Sequence, residues 1–272
     1  MVVPHDQPIT SIFASWRLAI TQSATAAFAV RPDVSRTSKH YQFISTARVI
    51  EALLEAGFEP TRAQQTKVRG GGSPDHAKHM IRFSYIKTSL SLIDAVPELI
   101  LINSHDATSA YTLRAGLFRP VCTNGMVTQI GDFGLLHVPH RGNIIHNVVD
   151  GGLQIARGFD DITRMVERMA ARTLNDNERR DFASAALKIR YPHPQQHVPL
   201  NAEQVLLPRR SADYGNTLWL AYNVCQENVV AGGLTGRAAS GRTSRTRAIR
   251  AIREDVRINV GLWNHAMTML NA

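Results

Sequence analysis

Apolar residues change their spacing twice along this chain, and that change limits the folds it can adopt. Ahead of Gly57, Val49, Ile50, Leu53 and Leu54 recur at helical spacing behind a capping hydroxyl at Ser45 or Thr46. The pattern then turns to period two. Thr61 to Arg69 reads as a polar strand, Gly70 to Pro74 as a loop, and Met80 to Ile86 as a strand with Ile81, Phe83 and Tyr85 on one face. Glu98 to Ile102 is a short, nearly continuous apolar run that suits a strand buried on both faces. Thr108 to Leu113 and Phe133 to Val138 complete a set of about five strands, with Asn124-Gly125 as a turn between elements.

Helical spacing returns at Asn143. Ile144 to Ile155 and Ile162 to Met169 form one long helix or two joined at Gly158, and Asn175 with Glu178 has the spacing of a capping box. Tyr191-Pro192-His193-Pro194 breaks that helix, and the stretch to Pro199 is the best candidate linker. Helices at about 201–207 and 216–230 follow, the second with Leu218, Tyr222, Cys225 and Val229 as a core stripe. The expected fold class is α+β: a helix and a mostly antiparallel sheet of about five strands, then a helical C-terminal half. Three regions are expected: a loosely attached, acid-poor arm over 1–40, an α+β core over 41–142 and a helical region over 143–272.

With 272 residues, 44% hydrophobic and 19% charged, the chain is an ordinary globular one, which excludes disorder and collagen-like repeats. No apolar run approaches the roughly 18–20 residues of a membrane span. Two cysteines, Cys122 and Cys225, make no disulfide scaffold, so a reduced, cytoplasmic location is expected. The net charge is +9, from 31 basic against 22 acidic residues, and only five of the basic residues are lysine. Arginine's planar fork grips phosphate through two hydrogen bonds, so the balance points toward a nucleic-acid partner.

The densest cationic stretch is Gly232 to Arg257. Four glycines alternate there with Arg237, Arg242, Arg245, Arg247, Arg250, Arg253 and Arg257, hydroxyl residues lie between, and only Glu254 and Asp255 oppose them. Hydroxyls and arginines donate to phosphate oxygens, and glycine permits close backbone approach. A helix starting near Ser244 would set Arg247, Arg250 and Arg253 on one face. On the sheet, Arg62, Lys67, Arg69, Lys78 and Arg82 are further phosphate contacts, with Arg119 beyond them, and Tyr85 or Tyr111 are candidates to stack bases.

A second cluster could carry chemistry. His79, Asn103, His105 and Asp106 gather at strand ends, where a histidine and a carboxylate can share a proton or a cation. A turn in which Asn, Ser and Asp bond their own backbone accounts for the same residues and is preferred. No spacing matches a metal motif, and neither a phosphate-binding GxxxxGK[ST] loop nor a dinucleotide fingerprint is present, so no cofactor is expected.

Several strings carry a family resemblance: Pro97 to Asp106, Gly116 to Gly125, Lys78-His79-Met80, and Gly233 to Arg237 with the Arg-Thr repeats that follow. They resemble the YfjQ/YafZ family, proteins of unknown function from prophages and plasmids, over roughly residue 40 to the C-terminus. The resemblance implies a bacterial mobile element and transfers no catalytic residue. The order of helix, basic sheet and long helix is also broadly similar to Rad-type single-strand annealing proteins, which form rings around a basic groove. The expected function is therefore nucleic-acid binding, with single-stranded DNA favoured, in recombination or replication, with a homo-oligomer among the expectations and no membrane partner. A hydrolytic or metal-dependent enzyme centred on Asn103, His105 and Asp106 is the first alternative, and a module that binds a host protein is the second.

Overall fold

The structure, a computed structural model, describes residues 9–68, 73–88, 95–119, 125–127 and 135–272. The chain divides into two compact units, one of residues 1–90, 96–116 and 130–160, the other of 91–95, 117–129 and 161–272.

The first unit begins with α1 (Ile9–Ser23) and α2 (Thr46–Glu55), followed by β1 (Phe58–Gln65), β2 (His79–Tyr85), β3 (Val96–Asn103) and β4 (Tyr111–Phe118). Then β6 (Leu135–Val138) and α3 (Ile144–Ala156) close it, while β5 (Gly125–Val127) is counted with the second unit. The sheet order is β1-β2-β3-β4-β5, with β6 paired to β4, and β1/β2, β2/β3 and β4/β6 are antiparallel. Along β2 and β3 the register sets His79 opposite Asn103, Ile81 opposite Leu101 and Phe83 opposite Leu99. Those residues share one face, and the buried side of α2, Val49, Ile50, Leu53 and Leu54, belongs to the same core.

The expected strands are present, with shifted ends. The first starts at Phe58, three residues early, and absorbs Pro60 at an irregularity in its pairing with β2. Residues 1–40 were expected to be a loose arm, but the described part of that stretch packs into this unit. Ile20, Ala24, Ala26 and Ala27 are buried, and the Asp33 amide bonds the His105 carbonyl at 2.9 Å. The boundary near 142 also moves, since α3 belongs with the sheet.

The second unit holds most of α4 (Phe159–Ala171), which Gly158 separates from α3, and then α5 (Asp176–Arg190), α6 (Ala202–Val205), α7 (Leu218–Ala231) and α8 (Ile252–Asn271). Asn175 and Glu178 form the expected capping box at the start of α5. Helices α5, α7 and α8 pack together around Phe182, Tyr222 and Trp263, with Tyr222 edge-on to both other rings. Cys225 is buried in α7, and burial pushes its thiol far above the ordinary range, which fits a core residue. Tyr191 to Pro199 is no linker between units; it lies inside this one. Between α7 and α8 the chain forms a hairpin of β7 (Thr235–Arg237) and β8 (Thr243–Arg245), where a helix start was expected.

Buried ion pairs tie each unit together. On β2, Arg82 is 3% exposed and its Nε meets Glu98 Oε2 at 2.5 Å, while Thr61 donates to the other carboxylate oxygen at 2.8 Å. In the second unit the buried Arg119 bonds Asp213, and Arg210 joins Asp213 at 2.8 Å to Glu227 at 2.5 Å. Removing one member of such a pair leaves a charge in the interior with no counterion. Glu98→Ala is therefore expected to cost about 3–5 kcal/mol in urea unfolding, with replacement of both Arg82 and Glu98 by Met recovering most of that loss.

Candidate functional site

Two sites suggested by the sequence can now be placed. The first is the polar cluster at the sheet end. His79 and Asn103 are cross-strand neighbours, His105 follows β3 by two residues, and Thr46 opens α2 above them. Thr46 Oγ1 lies 2.8 Å from His79 Nε2, 3.3 Å from His105 Nε2 and 3.2 Å from Asn103 Nδ2.

The partners fix the proton positions. His79 Nδ1 is 2.9 Å from the Ala77 carbonyl, which only accepts, so Nδ1 carries the proton and Nε2 accepts from the Thr46 hydroxyl. Having spent its one proton, Thr46 accepts from Asn103 Nδ2–H and from His105 Nε2–H. Asn103 Oδ1 in turn accepts from His140 Nε2–H at 2.9 Å, and Tyr41 stacks on His140 with ring centroids 4.4 Å apart. His105 Nδ1 remains as a buried lone pair with no partner among the described residues.

Asp106 stands apart from this network. Its Oδ1 accepts from the amide and hydroxyl of Thr108 at 3.1 and 2.6 Å, and its Oδ2 meets Arg36 at 3.3 Å. Burial raises its carboxyl, but those hydrogen bonds outweigh burial and hold it below the usual range. The His–Asp proton sharing considered from sequence is thus not formed, and the turn-like bonding of Asp106 is. Among the described residues no group of three or more His, Cys, Asp or Glu is placed to hold a metal ion. Cys122 lies outside the described residues.

The cluster is therefore a neutral hydrogen-bond hub. Burial holds His79 down at about 4, and burial together with the adjoining His79, His140 and His76 imidazoles holds His105 down at about 3. In the unfolded chain both titrate near 6.5. Their contribution to stability is full above about 6.5 and is lost as pH falls toward the folded values, because the unfolded chain takes up protons first. Urea unfolding should therefore weaken below pH 6.5 by up to about 1.4 kcal/mol per pH unit for each histidine. Thr46→Val strands an acceptor and two donors and should cost about 2–4 kcal/mol, with Thr46→Ser close to neutral.

The second site is the arginine-rich segment. In β7–β8, Thr235 pairs with Arg245 and Arg237 with Thr243, and the turn closes through the Gly241 amide on the Ala238 carbonyl at 2.8 Å, with Gly241 at φ +78°. The hairpin and the strap after it are fastened to the unit through backbone groups. Ile249 N bonds Val230 O at 2.9 Å and Arg237 N bonds Pro199 O at 3.0 Å, while Gly233 N on Thr246 O at 2.8 Å closes the base of the hairpin on itself. Side chains add four ties: Arg209 Nη2 donates to Gly232 O at 2.5 Å, Gln204 to Thr235 O at 2.8 Å, Arg190 to Arg247 O at 3.1 Å and His197 Nε2–H to Arg237 O at 2.6 Å.

Two glycines make this fit possible. A Cβ on Gly232 would lie 2.6 Å from the Arg247 carbonyl carbon, and one on Gly236 would lie 2.1 Å from Pro199 O. These glycines bring the chain against itself, rather than against a ligand as the sequence suggested. Residues 246–251 are not helical, so Arg247 and Arg250 share no helix face with Arg253. Gly236→Ala should push the hairpin off Pro199 at a cost of about 1–3 kcal/mol and make trypsin cut several-fold faster within 237–250.

Arg237, Arg242, Arg245, Arg247 and Arg250 are all exposed on this arm, and none forms an ion pair among the described residues. The sheet set is different. Arg62 and Lys67 are exposed, Lys78 reaches the Thr108 carbonyl at 3.5 Å, and Arg69 lies outside the described residues. Arg82 and Arg119 are buried in their ion pairs, which corrects their assignment as phosphate contacts. Tyr111 is fully buried with its hydroxyl on the Ile44 carbonyl at 2.8 Å, and Tyr85 packs on Phe58 at 4.7 Å, so neither is a free stacking platform. Sequence reasoning missed Arg209, Arg190 and Gln204 as anchors of the arm, and Thr46 and His140 as members of the hub. Their partners lie 23 to 59 residues away, so no local pattern marks them.

Comparisons with known proteins bear on the whole chain. Residues 34–263 match the family model described as a domain of unknown function (DUF932). The chain is 39% identical over 249 residues to the UPF0380 protein YafZ of Escherichia coli K12 and 38% identical to the UPF0380 protein YfjQ of the same strain, covering 89% of each chain. No solved structure matches. The long strings that resemble this family lie within the matched residues: the chain belongs to the DUF932 family, with the UPF0380 proteins YafZ and YfjQ as relatives.

Proposed function

We propose that this protein binds nucleic acid through the arginine arm of its second unit, with single-stranded DNA as the favoured partner. The observation that carries the reading is a contrast among arginines of one unit. Arg119, Arg210 and Arg257 are matched to carboxylates, whereas Arg242, Arg245, Arg247 and Arg250 stand exposed on a pinned backbone with no carboxylate partner among the described residues. Like charges held this close repel one another, and a polyanion relieves that repulsion while releasing its own counterions. A fixed backbone also lowers the ordering cost of binding.

A single strand is favoured over a duplex by an exposed aromatic ring in the same unit. Tyr214 is 71% exposed, five residues beyond Arg209, whose guanidinium holds the base of the arm. Bases that are free to unstack can lie on such a ring, and paired bases cannot. The cellular use that follows is strand binding or annealing during recombination or replication of a mobile element.

Fluorescence anisotropy of labelled single- and double-stranded DNA across a salt series tests the reading. The wild type should bind single strands with a steep salt slope. Arg245→Ala with Arg247→Ala should weaken binding and reduce that slope by about 1.4, at roughly 0.7 per lost phosphate contact. Tyr214→Ala should weaken single-strand binding about 5- to 100-fold with little effect on duplex. Unchanged affinity and slope in the double variant would remove the arm from the site.

A further inference from the structure

We infer that the first unit holds a separate site for a phosphate monoester on a flat apolar ring, such as a mononucleotide. The site is a groove of about 600 Å³ between α1, the segment 28–30 and the start of α2, within the size range of small-molecule pockets. It does not rest on the reading of the arginine arm.

The lining has two chemical halves. Phe28, Val30, Phe43 and Ile145 give an apolar wall, and Val30 is 89% exposed. Arg17 and Arg48 supply the cations. The Arg17 guanidinium lies over the Phe28 ring at 5.4 Å and has no hydrogen-bond or ion-pair partner among the described residues, so its donors are open. Arg48 meets Glu51 at 3.4 Å, an exposed contact that water and ions screen and that a stronger anion can displace. Ser45 directs its hydroxyl to the Ala27 carbonyl at 3.2 Å instead of capping α2.

Charge selects the anion. Two guanidiniums against one carboxylate leave an excess of one positive charge, to which the start of α2 adds about half a charge. A phosphate monoester carries about −1.5 to −2 near neutral pH and matches that excess better than a carboxylate does. The apolar wall selects the rest of the ligand, since a flat ring covers Phe43 and Ile145 at little entropic cost. Free inorganic phosphate would leave that wall wet.

Isothermal titration of the full chain with AMP, adenosine and inorganic phosphate tests the site. AMP is expected to bind one per chain, with adenosine and phosphate each at least about tenfold weaker. Arg17→Gln, an exposed change, should weaken AMP about tenfold or more, and Phe43→Leu should weaken AMP without affecting phosphate. The Arg245→Ala, Arg247→Ala variant should bind AMP as the wild type does, which separates this site from the arm. Competition by a 5′-phosphorylated oligonucleotide but not its 5′-hydroxyl twin would place the monoester on a strand end, and absence of competition would place it on a free nucleotide. No saturable AMP binding, phosphate as tight as AMP, or an Arg17→Gln variant that binds normally would overturn the inference.

Discussion

A guanidinium taken out of water must meet a carboxylate, and that constraint sorts the arginines of this chain into two kinds. Arg82 meets it with Glu98, and Arg119 with Asp213, which Arg210 links onward to Glu227. These pairs specify their units more than they stabilise them, because desolvation offsets most of the attraction between the charges. Buried carboxylates thus go to buried arginines. The exposed arginines of the arm form no ion pair among the described residues.

The arm is a built structure rather than a charged loop. Its backbone bonds the rest of the unit at Val230 and Pro199 and itself at Thr246, and Gly232 and Gly236 give the closeness this fit requires. Charge repulsion would otherwise swell such a segment. Holding it costs some stability, which the unit supplies through the mutual packing of helices α5, α7 and α8. A surface kept in place at such a cost is consistent with the proposed role in gripping a phosphate backbone. The hydrogen-bond hub of the first unit follows a different logic: one threonine hydroxyl satisfies two histidines and an asparagine, and burial keeps the histidines neutral.

Local rules were legible in the sequence. The capping box at Asn175, the break at Gly158, the buried run at 98–102 and the core stripe through Cys225 all stand where the spacing put them. Long-range facts were not. The carboxylate that buries Arg119 is 94 residues away, and the hub draws on Thr46, His79, Asn103, His105 and His140 from separate segments. The helix expected from Ser244 was a misreading because Arg, Ser and Thr fit a polar helix and a polar hairpin equally well, and what decides is Gly241 in a left-handed turn and Pro199 across from Gly236. The first 40 residues looked loose because they are poor in acids, with none from Gln7 to Pro32, yet their small alanines pack into a crowded core.

Hydrogen–deuterium exchange of the full chain, alone and with a saturating single-stranded oligonucleotide, addresses the central claim most directly. The account predicts that the amides of Gly233, Arg237 and Thr246 already exchange slowly in the free protein, because their backbone bonds are made. It also predicts that the strand adds protection over 238–250, while peptides spanning the buried Arg82–Glu98 pair stay unchanged. Fast exchange at the Arg237 amide, which bonds Pro199 outside the arm, would contradict the pinned arm. Saturated DNA binding that leaves 238–250 unprotected would contradict its role as the contact surface.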